Sequence, residues 1–344
     1  NRAEGGRISI EGVLEGGVEE VKILKATLGS WKDGQFTLLK EVTKAVQITK
    51  PRLLISQVVN SSADYTASLS DTLHYEIFFK NLSEKVLENL FLVVSLDGRA
   101  FDLDSIKIDR GKFQKGDNSI IWEARDVPKL RFLGRGEEGK VEFWVNVKEE
   151  IETFSPQDKE FTLKDRVLLS DAKEEFELKI NARLVVEQRG FFADEVFGNR
   201  GPVPPKAGEK TTYTIIWNAK SFYNDVQDGK VKATLPRGVE LTGSIMPEDA
   251  VLTFDPVSRE VVWQIGDLAA GTGVFDSLTA PSVAFQVAFT PAESQRGTVP
   301  EIIGEVRITG DDLFTEQVVT STDEPIDTTL PDDESVTEDM GRVQ

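Results

Sequence analysis

The sequence predicts an all-β fold of tandem antiparallel β-sandwiches, and three observations carry that prediction. Apolar and polar residues alternate with period two through most of the chain, as in Leu73, Tyr75, Ile77 and Phe79 or Val283, Phe285 and Val287. Such runs recur at intervals of roughly 8 to 12 residues, with Gly, Asn, Asp and Pro between them, which is the spacing of sandwich strands joined by turns. The chain also repeats itself at about one domain length. Leu73, Tyr75, Ile77, Phe79 and Asn81 return as Tyr213, Ile215, Trp217 and Asn218. Each copy continues into an apolar strand closed by a turn (92–96 then Gly98; 231–235 then Pro236 and Gly238). A tryptophan strand (120–122; 261–263) and a last alternating strand (Val141, Phe143, Val145; Val283, Phe285, Val287) complete it. The alignment pairs Tyr75 with Tyr213, Trp122 with Trp263 and Phe143 with Phe285. Repetition carried by core positions, without repetition of a polar site, points to structural modules before it points to a catalyst.

Taken in order, Val21, Ile23 and Lys25, with Phe36, Leu38, Val46 and Ile48, read as half-buried strands separated by turns at Gly29-Ser30 and Lys32-Asp33-Gly34. Residues 1–50 are the closing strands of a preceding β module, because Ile10, Gly12 and Val13 match Ile303, Gly304 and Val306 near the end of the second copy. Thr49-Lys50-Pro51 breaks that strand and opens the first full module, 51–181. The segment 170–176 is the best helical candidate, with Asp171 as its cap. The second module, 182–330, contains the loop Gly198 to Pro205, too polar and proline-rich to pair inside a sheet and so expected to cross the surface. From Pro331 the chain is acidic and is expected to be a flexible tail, 331–344.

Composition excludes several functions. A net charge of −19 argues against nucleic acid and anionic membranes, because phosphate binding needs clustered Lys and Arg. The same charge favours cations such as calcium. The absence of cysteine removes disulfides, zinc thiolates and cysteine nucleophiles together. No apolar run approaches the roughly 18 to 20 residues that cross a bilayer. No signal peptide opens the sequence, which is read as a mature product or an excised piece.

Few polar residues suggest chemistry. His74, the single histidine, alternates with Leu73 and Tyr75 and reads as a solvent-facing strand residue, with no nucleophile and orienter arranged around it. Asp102, Asp104 and Asp109 resemble a calcium loop loosely, lacking its glycine and its bidentate Glu. Asp311 and Asp312, like Asp225 and Asp228, occupy turns, which Asp favours on conformational grounds alone. Calcium is the cation these carboxylates would take, and no other cofactor is indicated. Phe191, Phe192 and Phe197 form an aromatic group beside the proline-rich loop, either a plug at the module junction or a contact surface. Glycines such as Gly134, Gly136, Gly271 and Gly273 fall in turns with no phosphate-loop Lys after them. Asn60-Ser61-Ser62 and Asn81-Leu82-Ser83 match the glycosylation pattern, a motif short enough to arise by chance.

The second copy resembles the conserved repeat domain of bacterial cell-surface proteins. The resemblance rests on Ala207-Gly208-Glu209, on Tyr213 through Asn218, on Leu235-Pro236-Arg237-Gly238-Val239 and on Trp263-Gln264-Ile265-Gly266-Asp267-Leu268 with Gly271. The first copy departs from it where Leu96-Asp97-Gly98 replaces Leu235-Pro236-Arg237-Gly238. The resemblance implies tandem immunoglobulin-like antiparallel β-sandwiches, an extracellular place on the cell surface and no catalytic residues. It implies a stalk, adhesin segment or coat subunit whose partners are other surface proteins, glycans or copies of itself. The alternative is a glycan- or protein-binding module that uses the 191–205 loop. Lys-to-Asn isopeptide bonds, known in some surface modules, would show as a loss of ammonia from the intact mass.

Overall fold

The computed structural model describes residues 14, 16, 17, 19–32, 34–48 and 51–344. The first element among the described residues is a two-stranded antiparallel ribbon, β1 (Val21–Lys32) and β2 (Gln35–Gln47). It then forms β3 (Leu53–Val59), β4 (Thr72–Asn81), β5 (Leu87–Glu88), β6 (Leu92–Asp97), β7 (Phe101–Ile108), β8 (Lys112–Gln114), β9 (Ser119–Trp122), β10 (Phe132–Leu133), β11 (Glu138–Val147), β12 (Thr162–Leu169) and β13 (Ala172–Lys179). A second set follows: β14 (Arg183–Phe191), β15 (Thr211–Phe222), β16 (Val226–Thr234), β17 (Val239–Met246), β18 (Val251–Phe254), β19 (Glu260–Leu268), β20 (Ser282–Phe289), β21 (Glu301–Ile303), β22 (Val306–Asp312), β23 (Val318–Asp323) and β24 (Ile326–Asp327). Among the described residues one short α-helix, α1, is Pro128–Arg131, and single 3-10 turns occur at Glu293–Gln295 and Glu338–Gly341.

Each set makes one sandwich. In the first, sheet β3-β4-β11-β7 faces sheet β13-β12-β6-β9-β8; in the second, β14-β15-β20-β17 faces β18-β19-β16-β22-β23. The two orders are the same strand for strand, so the repeat seen in the sequence is a repeat of topology. Alternation delivers the cores: Leu73, Tyr75, Ile77 and Phe79 are buried in the first, and Tyr213, Ile215, Trp217 and Ala219 in the second. Trp122 is fully buried and donates its indole N–H to the Asp109 carbonyl at 2.9 Å, while Trp263 is 5% exposed. Burying aromatic rings of this size supplies cohesion without a disulfide.

The sheet register corrects the alignment. Phe143 lies opposite Tyr75, whereas Phe285 lies opposite Ile215, and Val283 lies opposite Trp217 as Val141 does opposite Ile77. Tyr75 therefore corresponds to Ile215, two residues beyond its expected partner Tyr213. With a period of two, a slip of two keeps every side chain on its own face, so the pattern could not reveal the error. Tyr75 stacks on Phe143 with centroids 4.5 Å apart, while Trp217, at the position of Ile77, meets Phe285 edge-on at 4.8 Å.

Two further expectations are revised. The candidate helix at 170–176 is the turn into β13, where Ser170 has φ 52° and the chain reverses to pair Ala172 with Leu169. The acidic tail is packed rather than flexible. Leu330, Val336 and Val343 are buried, the Gln344 N–H donates to the Pro205 carbonyl at 2.8 Å, and Asp333 accepts the N–H groups of Phe192 and Ala193 at 2.7 and 2.8 Å. At the Asn81-Leu82-Ser83 pattern, read above as short enough to arise by chance, the Asn81 side chain is buried and donates to the Lys85 and Leu133 carbonyls. The Ile10, Gly12 and Val13 motif and the Thr49-Lys50 break lie outside the described residues. The β1–β2 ribbon stands apart from both cores, with Ile23, Trp31 and Leu39 each about two-thirds or more exposed. A lone two-stranded ribbon is marginal in water, so those side chains call for a cover.

Candidate functional site

The corrected register brings out a polar position that sequence reasoning missed. Gln57 pairs with Ile77, and Gln188 pairs with Trp217, so the two glutamines are equivalent, and both are buried. Repetition therefore does include a polar residue. Gln57 Nε2 reaches from β3 across the core to Asp165 Oδ1 on β12 at 2.9 Å. Around that bond Gln57 Oε1, Asp165 Oδ2 and the Tyr75 hydroxyl have no hydrogen-bond partner among the described residues. Burial pushes the Asp165 carboxyl up to about 7, against the lowering effect of the Gln57 bond. Gln188 is satisfied differently. Its Nε2 donates to the Gly304 and Glu324 carbonyls at 3.1 and 2.9 Å, and its Oε1 accepts the Trp217 indole N–H at 2.8 Å. No charge is buried there.

The junction between the sandwiches is also built from buried polar groups. Tyr223, in the turn between β15 and β16 of the second sandwich, is 2% exposed and packs into the core of the first, edge-on to Phe161 at 5.6 Å. Its hydroxyl accepts the Ile151 N–H at 3.1 Å, and its carbonyl accepts the Glu160 N–H at 2.9 Å. Asn224 Nδ2 donates to the Ile180 carbonyl and to Asp312 Oδ2, both at 2.8 Å. Asp312 also accepts N–H groups from Ala182 at 2.6 Å, Phe314 at 2.8 Å and Thr315 at 3.1 Å. Lys159 pairs with Asp225 at 2.6 Å across the same seam.

The outer faces of the equivalent four-stranded sheets differ most. On the first, His74 and Trp144 are directly opposed on β4 and β11, their rings stacked with centroids 4.5 Å and planes 6° apart. His74 Nε2 lies 2.9 Å from Glu142, and Lys140 Nζ lies 2.8 Å from Glu76 and 3.0 Å from Glu142. Lys140, and behind it His74, hold the Glu142 carboxyl below its ordinary range. His74, Glu76 and Glu142 are the one group of three potential metal ligands within 4.8 Å of one another among the described residues. The Lys140 ammonium already bridges its two carboxylates and offsets one of their two negative charges. Beyond Trp144, β7 bulges between Asp102 and Lys107 and opens a cleft of about 570 Å³ lined by Trp144, Lys107, Asp104, Asn146 and Thr72.

On the second sandwich the opposed pair at these positions is Thr214 and Gln286, and a loop roofs it. Asn199 contacts Thr214 Oγ1 at 3.0 Å and accepts from Gln286 Nε2 at 2.9 Å, and Asp194 accepts N–H groups from Val196 and Phe197 at 2.7 and 2.9 Å. The 191–205 loop crosses the surface as expected, held to the sheet by Asn199 and to the C-terminal segment by Asp333. Phe191, Phe192 and Phe197 are half-buried within it, and Phe192 meets Tyr213 edge-on at 6.3 Å. They sit on the second sheet's face, away from the junction.

The carboxylates singled out as calcium ligands are distributed over separate places. Asp102 and Asp104 lie on β7; Asp104 is paired with Lys115 at 2.5 Å, which lowers its carboxyl, and Asp109 lies 3.7 Å from Arg110. Asp312 is enclosed in the junction, while Asp311 faces Val318 in the β22–β23 ladder.

No protein-family model and no curated protein matches this chain. Among solved structures it is similar to the C-terminal domain of the Streptococcus pyogenes antigen I/II-family protein AspA, at 12% identity over 80% of this chain and 100% of that one, with a TM-score of 0.34. The Streptococcus agalactiae antigen I/II polypeptide BspA C-terminal domain is similar at 12% identity over 78% and 98%, with a TM-score of 0.28. Similarity this distant carries no inference about activity. Among the described residues, no helix is long and apolar enough to cross a membrane.

Proposed function

We propose that this chain is a noncatalytic segment of a cell-surface protein, in which tandem immunoglobulin-like sandwiches act as a stiff spacer. The observation that carries the reading is the junction. A large ring from one sandwich is buried in the core of the other, and a carboxylate enclosed by four donors lies on the seam. A flexible linker would give independent beads, whereas burial of this kind fixes the angle between neighbours. The strand orders support the immunoglobulin-like part. The first, second, seventh and fourth main strands share one sheet, and the third, eighth and ninth share the other, as in ABED facing CFG, with a hairpin added at the edge. The ribbon at 21–47 fits the same plan. The first sandwich ends in a two-stranded hairpin, β12–β13, that leads within a few residues into β14, and β1–β2 precedes β3 in the same way. In this reading the exposed apolar side chains of the ribbon are the inner face of a preceding sandwich's closing hairpin.

The absence of cysteine makes the spacer testable by spin labelling. With cysteines introduced at the exposed positions Lys85 and Val257, pulsed electron resonance should give one narrow distance distribution, and a broad one would sink the stiff-spacer reading. The surface location is checked by labelling intact source cells with antibody against 51–344; labelling only after lysis would refute it.

A further inference from the structure

We propose that the cleft beside Trp144, on the open sheet face of the first sandwich, is a binding site for a neutral, β-linked, gluco-configured oligosaccharide. The comparison within the molecule points there first. The equivalent face of the second sandwich is covered by the 191–205 loop, anchored on Thr214 and Gln286, whereas the shorter β3–β4 connection leaves His74 and Trp144 uncovered. At the uncovered positions the chain places an aromatic pair instead of Thr and Gln, and holds it rigidly. His74 stacks on Trp144, Glu142 fixes the His74 ring nitrogen, and Lys140 fixes Glu142. A preorganised ring loses little freedom when something settles beside it.

The chemistry of the cleft selects the occupant. Its volume, about 570 Å³, lies within the range of small-molecule sites. An indole presents a face of negative quadrupole, which attracts weakly positive C–H groups, and a pyranose with equatorial hydroxyls offers a flat sheet of such C–H bonds. The hydroxyls then project from the rim of the sugar and need both donors and acceptors. The cleft supplies both kinds. Asn146 Oδ1 is taken by the Thr72 hydroxyl at 2.9 Å, while its amide NH₂ makes no hydrogen bond among the described residues, and neither does the Lys107 ammonium. Asp104 has acceptor oxygens beyond the one that meets Lys115. Asp104 and Lys115 offset each other at the cleft, and the net charge of −19 on the whole chain disfavours anionic ligands. A neutral hydroxyl-rich chain is what remains, and an open sheet face suits a linear one.

The test is a titration of the whole chain, labelled with ¹⁵N, with cellotetraose and with tetra-N-acetylchitotetraose. At least one should shift the Trp144 indole resonance and the amides of 104–107 and 144–146 saturably, and Trp144→Ala should weaken that binding at least tenfold. Asn146→Ala and Lys107→Ala should each weaken it severalfold while leaving the amide spectrum otherwise native. Since Trp144 lies on an outer face, its removal leaves the core intact, and unfolding monitored by circular dichroism checks this. Shifts from neither sugar overturn the proposal. So do shifts confined to 191–205, or tighter binding of trigalacturonate than of the neutral chains.

Discussion

The two sandwiches share a strand order but resolve the same buried position differently. Gln57 in the first is bonded to a carboxylate and leaves three polar atoms around it unpartnered, whereas Gln188 in the second is bonded to two carbonyls and an indole. Their outer faces diverge in the same sense: one is open and carries charge and aromatic rings, the other is roofed by hydrogen-bonded loop. At this position one sandwich therefore buries a carboxylate and offers a face to solvent, while the other buries neutral groups alone and is roofed. A repeat of topology does not oblige a repeat of chemistry.

The largest expected effect concerns the one place where the sandwiches depend on each other. Tyr223→Ala should cost the first sandwich about 3–5 kcal/mol, the usual loss for deleting a buried aromatic ring, although the residue belongs to the chain of the second. Calorimetry should then resolve two transitions where the wild-type chain shows coupled unfolding. A single unshifted transition would mean that the junction adds nothing, and the comparison of separate stabilities would fail with it.

Next in size is the pH response of Asp165. Burial raises its carboxyl to about 7 in the folded chain, against about 3.9 for a free aspartate side chain. The stabilisation by the proton is fully present below the unfolded value and is lost as pH rises through about 7. From pH 4 to pH 8 the first sandwich should lose on the order of 4 kcal/mol relative to the second. Asp165→Asn should remove most of that slope and raise stability at pH 8, because an amide is neutral and can donate to Gln57 Oε1. Urea denaturation of Tyr223→Ala and of the double variant, across pH 4–8, reads both; equal slopes in the two sandwiches would refute the assignment.

Gln188→Leu should cost the second sandwich less, about 1–3 kcal/mol, by leaving the Trp217 N–H and two carbonyls without partners. The loss should be independent of pH between 5 and 8, since no ionisable group takes part. A pH-dependent loss would break the contrast with Gln57.

The sequence made the fold legible because alternation and turn residues are local signals. Leu73 to Phe79 and Val283 to Val287 announce their faces without reference to any partner. Gln57 and Gln188 were hidden because their equivalence depends on cross-strand register, which a period of two leaves undetermined by multiples of two. Tyr223 and Asp333 were hidden for another reason. Each works by contacting something distant in sequence, Phe161 and Ile151 in one case and Phe192 in the other, and an aromatic in a turn or an acid in an acidic tail looks the same whether docked or free. Trp144 and His74 could be assigned to an outer face by alternation, but the bulge of β7 that makes a cleft beside them left no mark in the pattern.

The smallest expected effect tests the roof itself. Asn199 touches the carbonyls of Phe191 and Phe192 at 3.2 and 3.0 Å, Thr214, Gln286 and Asp194, so its removal frees the middle of the loop while Asp333 still holds the start and the Gln344–Pro205 bond still holds the end. Asn199→Ala should therefore cost about 1 kcal/mol of global stability, within the range for one lost set of partly exposed hydrogen bonds. Its local effect should be much larger: amide exchange at 194–201 should accelerate, while exchange in β15 and β20 stays slow. Acceleration that spread into β15 would mean that the loop is part of the second sandwich's core rather than a cover over it. The open face of the first sandwich would then reflect a missing structural element, not an exposed surface of a finished fold.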